Sequence, residues 1–152
     1  MPINIEVIKK LREETGAGVL EIKLALENAL GDEEKARQEL MQKGIAKAAK
    51  KQDRVTKDGL VYSYIHGAGK VGSMVAVACE TDFVAKTDDF KKLCHELALQ
   101  AATAEYKSVE NFLADDYIRD PSKKVADLIA ETTAKVGEKI ELKNFVRLTV
   151  LG

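Results

Sequence analysis

The chain has 152 residues, with 24 Lys and Arg against 25 Asp and Glu and a formal net charge of −1. Apolar residues make up 45% and charged residues 32%, enough for a core and a solvated surface, which excludes gross disorder and any global basic field for nucleic acid. No apolar run nears the roughly 18–20 residues of a membrane span, Met1 to Asn4 begins no signal peptide, and Cys79 and Cys94 make no disulfide framework. A cytoplasmic protein with no membrane partner is the expectation.

Residues 1–44 read as three short helices forming one module. Asn4 caps the first, with Ile5, Ile8 and Leu11 inward, and the run Thr15-Gly16-Ala17-Gly18 stops it. The second carries Val19, Ile22, Leu26, Ala29 and Leu30 up to Gly31. Asp32 caps the third, which continues through Ala36, Leu40 and Met41 and is expected to close at Gly44. Residues 45–57 read as a basic linker. Within Lys43 to Lys57, Lys43, Lys47, Lys50, Lys51, Arg54 and Lys57 face one acid, Asp53. Such a run is a solvated connector, a docking strip for an acidic partner, or both.

Residues 58–152 change to period two and are expected to form an α+β core, ββααβ, with a three-stranded antiparallel sheet. Leu60–His66 and Val71–Glu80 make a hairpin across Gly67-Ala68-Gly69-Lys70. Thr87 or Asp88 caps a long helix bearing Phe90, Leu93, Cys94, Leu97, Ala98 and Ala101, and Ser108–Leu113 adds a short turn of helix. Asp120-Pro121 is expected to start the last helix, which ends at Gly137. Ile140, Leu142, Val146, Leu148 and Val150 then alternate with polar residues as a strand with one wet face. In the second strand, Val71, Val75, Val77 and Cys79 share one face while Met74, Ala76 and Ala78 share the other. Both faces are apolar and two helices cover only one, so a homodimer built on the other is expected.

Several apparent motifs carry no chemistry. Gly67-x-Gly69-x-x-Gly72 copies the dinucleotide fingerprint, but a strand follows it where the fingerprint needs a helix N-terminus. Cys94 and His95 are neighbours on a helix and point about 100° apart, a poor nucleophile–base couple. No metal, cofactor or catalytic constellation emerges, so an enzyme is not expected. The segment Glu80-Thr81-Asp82-Phe83-Val84-Ala85-Lys86 lies between a buried strand and a helix. Either Thr81 or Asp82 caps a short helix with Phe83 tucked under the sheet edge, or a turn exposes Asp82 and Phe83 together.

Thr15-Gly16-Ala17-Gly18 with Lys23-x-Ala25-Leu26, Gly31-Asp32, the run from Gly44 to Lys51, Asp58-Gly59, Thr81-Asp82-Phe83-Val84-Ala85 and Val136-Gly137-Glu138-Lys139-Ile140 occur in an order that resembles the elongation factor Ts family. The resemblance spans essentially the whole chain and is closest to the short, single-core form. It implies a ubiquitin-associated-like helical module, a linker and a core. It further implies a guanine-nucleotide exchange factor that binds elongation factor Tu, GDP-bound or nucleotide-free, promotes GDP release by disturbing Tu's Mg²⁺ and phosphate site, and dimerises. By the same resemblance Arg12, Val19, Leu20 and Lys23 match the module's partner-contacting positions, although the family usually has two Met where Val19-Leu20 stands. Asp82 and Phe83 match the pair that presses on a helix of Tu, and His66, in Tyr64-x-His66-Gly67, matches a His that contacts Tu near its nucleotide. Two other readings of the residues are an adaptor gripping ubiquitin-like or helical peptides through the module, and an RNA binder using the basic strip. The strip has no stacking aromatics beside it, which argues against direct nucleic-acid contact.

Overall fold

The computed structural model describes residues 2–151. Asn4 accepts the Glu6 N–H at 2.9 Å and starts α1 (Ile5–Thr15), and Gly16 closes it in the left-handed conformation at φ 72°. Gly18 opens α2 (Val19–Asn28), where its N–H donates to Glu21 at 3.0 Å, and Asp32 caps α3 (Glu33–Ala49). Leu11, Ile22, Ala25, Leu26, Ala36 and Leu40 form the module's own core. Ile5, expected inside, is exposed, and Val7 takes the inward place on α1.

The core begins with the antiparallel hairpin β1 (Asp58–His66) and β2 (Val71–Cys79). A single helical turn follows, α4 (Asp82–Ala85), then α5 (Asp88–Thr103), capped by Thr87, and α6 (Val109–Ala114), capped by Ser108. A two-stranded ribbon, β3 (Asp116–Tyr117) and β4 (Asp120–Lys124), leads into α7 (Val125–Val136) and β5 (Glu141–Thr149). The sheet order is β1-β2-β5, antiparallel throughout. A helical module followed by a mixed sheet-and-helix core is therefore the architecture, with α5 laid against one face of the sheet through Phe90, Leu93, Cys94, Leu97, Ala98 and Ala101.

Three further expectations are corrected. First, α3 does not stop at Gly44 but runs five residues into the expected linker, to Ala49. Gly44 serves close packing instead: a Cβ there would lie 2.8 Å from the Ala134 Cβ on α7. Second, Asp120-Pro121 opens no helix. Asp120 turns back on Ser122, accepting its N–H at 3.2 Å, and the buried Gln100 of α5 pins the ribbon by donating to the Asp116 carbonyl and accepting the Ile118 N–H, both at 3.0 Å. That makes Lys124 the residue before α7 and adds the ribbon to the expected ββααβ, while the short helix expected at Ser108–Leu113 is present as α6.

Third, β5 does not keep one alternation. Leu142 pairs with Val77 and Asn144 with Ala76, so Lys143 is the extra residue of a bulge. A one-residue slip exchanges the two faces of a strand. Phe145 consequently turns into the core, while Val146, Leu148 and Val150, expected inside, are exposed. They join Val61, Ile65 and Met74 on the uncovered face of the sheet.

The module is seated on the core through α7. At Gly16 an added Cβ would meet the Lys135 Cα at 2.6 Å as well as facing a positive φ. We expect Gly16→Ala to lower stability by about 1–3 kcal/mol, from left-handed strain plus overpacking, and Gly44→Val to do the same by overpacking alone. Urea unfolding of the three proteins measures this, and a midpoint unchanged in both variants would mean the module does not rest on α7.

Candidate functional site

The sheet's second strand ends at Cys79, and the chain must there leave a buried layer and enter α5. The connection is made by Glu80, Thr81 and α4. Thr81 caps the turn, its hydroxyl accepting the Val84 N–H at 3.4 Å, and Val84 and Ala85 are buried against the core. With those two turned inward, the 3.6-residue period directs Asp82 and Phe83 outward. Both are exposed, and the Phe83 ring is 81% accessible. The capped short helix is thus present, but the ring is not tucked under the sheet edge. A large apolar side chain held this far out by a capped turn has no role in its own core.

The segment is tied to the loop after α7. Glu138 accepts the N–H groups of Glu80 at 3.2 Å and Thr81 at 3.0 Å with one oxygen, and the Thr81 hydroxyl at 2.8 Å with the other. Glu80 reciprocates, accepting the Lys139 N–H at 2.6 Å. Arg54 reaches Glu80 at 3.5 Å and the Gly137 carbonyl at 3.4 Å, and Lys139 Nζ donates to the Gln52 carbonyl at 2.6 Å. Sequence reasoning noted the strings around residues 80 and 136–140 separately but not that they bond to each other. Acidic residues in both strings were the only available signal.

On the module, Arg12, Val19, Leu20 and Lys23 are all exposed, and Leu20 is 82% accessible, two positions before the buried Ile22 and so on the other side of α2. Leu24, not anticipated, is exposed beside them on α2. The loop before α2 touches Lys135, three residues from Glu138, so the end of α7 carries both the module and the Phe83 turn. His66 is not part of this grouping. It closes β1 at the end opposite to the Asp58–Cys79 pair, roughly 26 Å along the strand by the usual rise per residue. Its Nδ1 lies 3.0 Å from the Tyr64 hydroxyl, and the nearby Tyr62 hydroxyl lies 3.1 Å from His95 Nδ1.

The basic strip is partly spent inside the molecule. Lys43 pairs with Glu39, Lys47 with Glu21 and Arg54 with Glu80. The Gly67-x-Gly69-x-x-Gly72 string forms the β1–β2 turn, with the Gly69 N–H bonded to the His66 carbonyl at 3.0 Å and a strand following. Among the described residues no group of three or more His, Cys, Asp or Glu is placed to hold a metal ion, and no helix is long and apolar enough to cross a membrane.

Residues 80–151 match the family described as "Elongation factor TS". The chain is 42% identical to Elongation factor Ts of Coprothermobacter proteolyticus, over an alignment covering 99% of each. It is 40% identical to Elongation factor Ts of Thermoanaerobacter sp., covering 95% of this chain and 93% of that one. It is 45% identical to Elongation factor Ts of Nostoc sp., there covering 97% of this chain but 47% of the relative. The Coprothermobacter alignment runs over 195 positions, so at least 43 of them have no counterpart among the 152 residues here.

Cys79 and Cys94 are buried beneath this turn. Burial, with the Glu138 carboxylate adding to it, pushes the Cys79 thiol up to about 11, and burial pushes Cys94 to about 12. The unfolded chain, with ordinary thiols near ~8.5, loses protons that the fold retains. Their contribution to stability is therefore complete below that value and declines as pH rises through 9 toward 11. The urea midpoint of the wild type should fall more between pH 8 and 10 than that of the doubly substituted Cys79→Ala, Cys94→Ala protein; equal falls would show that the thiols do not contribute.

Proposed function

Because the chain belongs to the elongation factor Ts family, we propose that it is a guanine-nucleotide exchange factor that binds elongation factor Tu, GDP-bound or nucleotide-free, and speeds GDP release. The observation that supports this most directly is the exposed Phe83, presented beside Asp82 on a turn anchored from beneath by Val84 and Ala85. Exchange needs no bond-making group. A factor that binds the empty GTPase better than the loaded one weakens the nucleotide by the same ratio, since the coupling is reciprocal. A 1,000-fold weakening asks for about 4 kcal/mol of differential contact.

GTPases hold their phosphates by P-loop amides and a Lys, with Mg²⁺ on a Ser or Thr and an Asp. In this reading Phe83 enters against a helix of Tu that supports that site and shifts it, spoiling Mg²⁺ geometry without touching the ion. Asp82, next to the ring, gives the contact a charged component. The three-helix module, read as ubiquitin-associated-like, supplies the affinity: Leu20 and Val19 are its apolar contacts, with Arg12 and Lys23 as charged neighbours. His66 would touch a separate part of the GTPase.

The open sheet face supports a homodimer. Three of its rows are Val61–Ala76–Asn144, Ser63–Met74–Val146 and Ile65–Gly72–Leu148, and a fourth, Gly59–Ala78–Glu141, ends on a carboxylate paired with Lys143 at 3.1 Å. No side chain in the first three rows is ionisable, and an uncharged patch of that kind can meet its own copy across a two-fold axis without like-charge repulsion. We read this face as joining two copies, which also covers the apolar surface that α5 leaves bare.

Two experiments test these readings. Phe83→Ala should leave the melting temperature unchanged while reducing GDP-release acceleration at least ~30-fold, about 2 kcal/mol. Leu20→Ala should instead mainly raise the concentration of factor required. Stopped-flow release of a fluorescent GDP analogue from elongation factor Tu reads both, and wild-type rates from Phe83→Ala would remove the wedge. For the dimer, sedimentation should give twice the 16.7 kDa chain mass, and Leu148→Lys should return it to one; a monomeric wild type at tens of micromolar would end that reading.

A further inference from the structure

We infer that Glu138 is a positioning residue for the Asp82–Phe83 contact, acting through the backbone of Glu80 and Thr81. The inference rests on the wedge reading above.

A four-residue helix cannot hold its own geometry, because one turn fixes several dihedrals for very few hydrogen bonds. Something outside it must set the direction in which Phe83 points. The inward side is set by Val84 and Ala85. The entry is set by one carboxylate, which takes the two consecutive N–H groups of Glu80 and Thr81 at 3.2 and 3.0 Å.

The third bond is the informative one. A threonine hydroxyl has a single proton and two lone pairs. Thr81 donates that proton to Glu138 at 2.8 Å, which leaves a lone pair to receive the Val84 N–H that caps α4. The cap at 3.4 Å is long, so the hydroxyl's orientation decides whether it forms at all. Glu138 therefore sets both the path of the chain into the turn and the cap that closes it. In return the Glu80 carboxylate takes the Lys139 N–H at 2.6 Å, so the two segments are mutually fixed.

The bonds also join the wedge to the rest of the molecule. Glu138 follows the Gly137 that ends α7, and α7 carries the module at Gly16 and Gly44. Arg54 and Gln52, from the segment after α3, bond to the same loop. A rigid wedge needs such a footing, since misplacing a working group by about an ångström can cost on the order of 100-fold in rate.

The test uses the full chain with elongation factor Tu loaded with a fluorescent GDP analogue. Glu138→Ala should reduce the GDP-release rate at saturating factor about tenfold while the half-saturating concentration moves less than threefold. Glu138→Gln, which keeps an oxygen for the two N–H groups but whose amide nitrogen cannot accept the Thr81 proton, should slow release less than Glu138→Ala does. Glu80→Ala, judged folded by circular dichroism, removes the acceptor of the Lys139 N–H, loosens the same turn independently and should slow release in the same direction. Added to a protein that already carries Asp82→Ala and Phe83→Ala, Glu138→Ala should bring no further slowing, because the contact it positions is gone. Independent, multiplying losses would overturn the inference, as would wild-type release from Glu138→Ala beside an impaired Phe83→Ala. Wild-type release from Phe83→Ala would overturn the wedge reading itself, a different and separately visible result.

Discussion

The end of α7 is the point on which the rest of the arrangement leans. Its last turns are close enough to α1 and α3 that only glycine fits at residues 16 and 44, and the loop beyond it grips the segment that carries Phe83. A helical bundle of about 45 residues is near the lower limit for folding alone. Seating it on a core helix relieves that limit and also fixes where Leu20 stands relative to Phe83. The same contact thus serves stability and the spacing of two exposed apolar groups, those proposed to meet the partner.

A second constraint is arithmetic of layers. A three-stranded sheet has two faces, and α5 with its neighbours covers one. The bulge at Lys143 sharpens the imbalance: it sends Phe145 inward to meet Phe112 at 5.1 Å between ring centroids and turns Val146 and Leu148 outward. One inserted residue completes the core and makes the opposite face more apolar than the pattern of β5 suggests. Bulges are local, yet their effect on side-chain direction extends along the remaining strand.

Exchange activity of the kind proposed makes unusual demands on a protein surface. An enzyme brings polar groups to a cleft and tunes their proton affinity; here Glu80 and Glu138 are used to hold backbone, and α4 aims a hydrocarbon ring outward beside Asp82. Glu80, Glu138, Arg54 and Lys139 spend their charge on N–H groups, carbonyls and one another. Charge-assisted bonds of this sort are stronger than neutral ones, which suits the role proposed for this small turn.

What the residues determine alone is largely local. Caps at Asn4 and Asp32, a cap at Thr87 or Asp88, the short helix after Ser108, the period change after Gly59, and the hairpin glycines are legible because each rests on neighbours within a few positions. The motif around Asp82 and Phe83 was also readable, though not which way the ring would face. Other features belong to the tertiary structure. Gly44 looks like a stop until α7 lies against it, and Asp120-Pro121 looks like a helix start until Gln100 pins the ribbon. The phase of β5 depends on pairing with β2, and the grip of Glu138 on Thr81 joins residues 57 apart. Such contacts are settled by what else occupies the space, a quantity that no stretch of sequence contains.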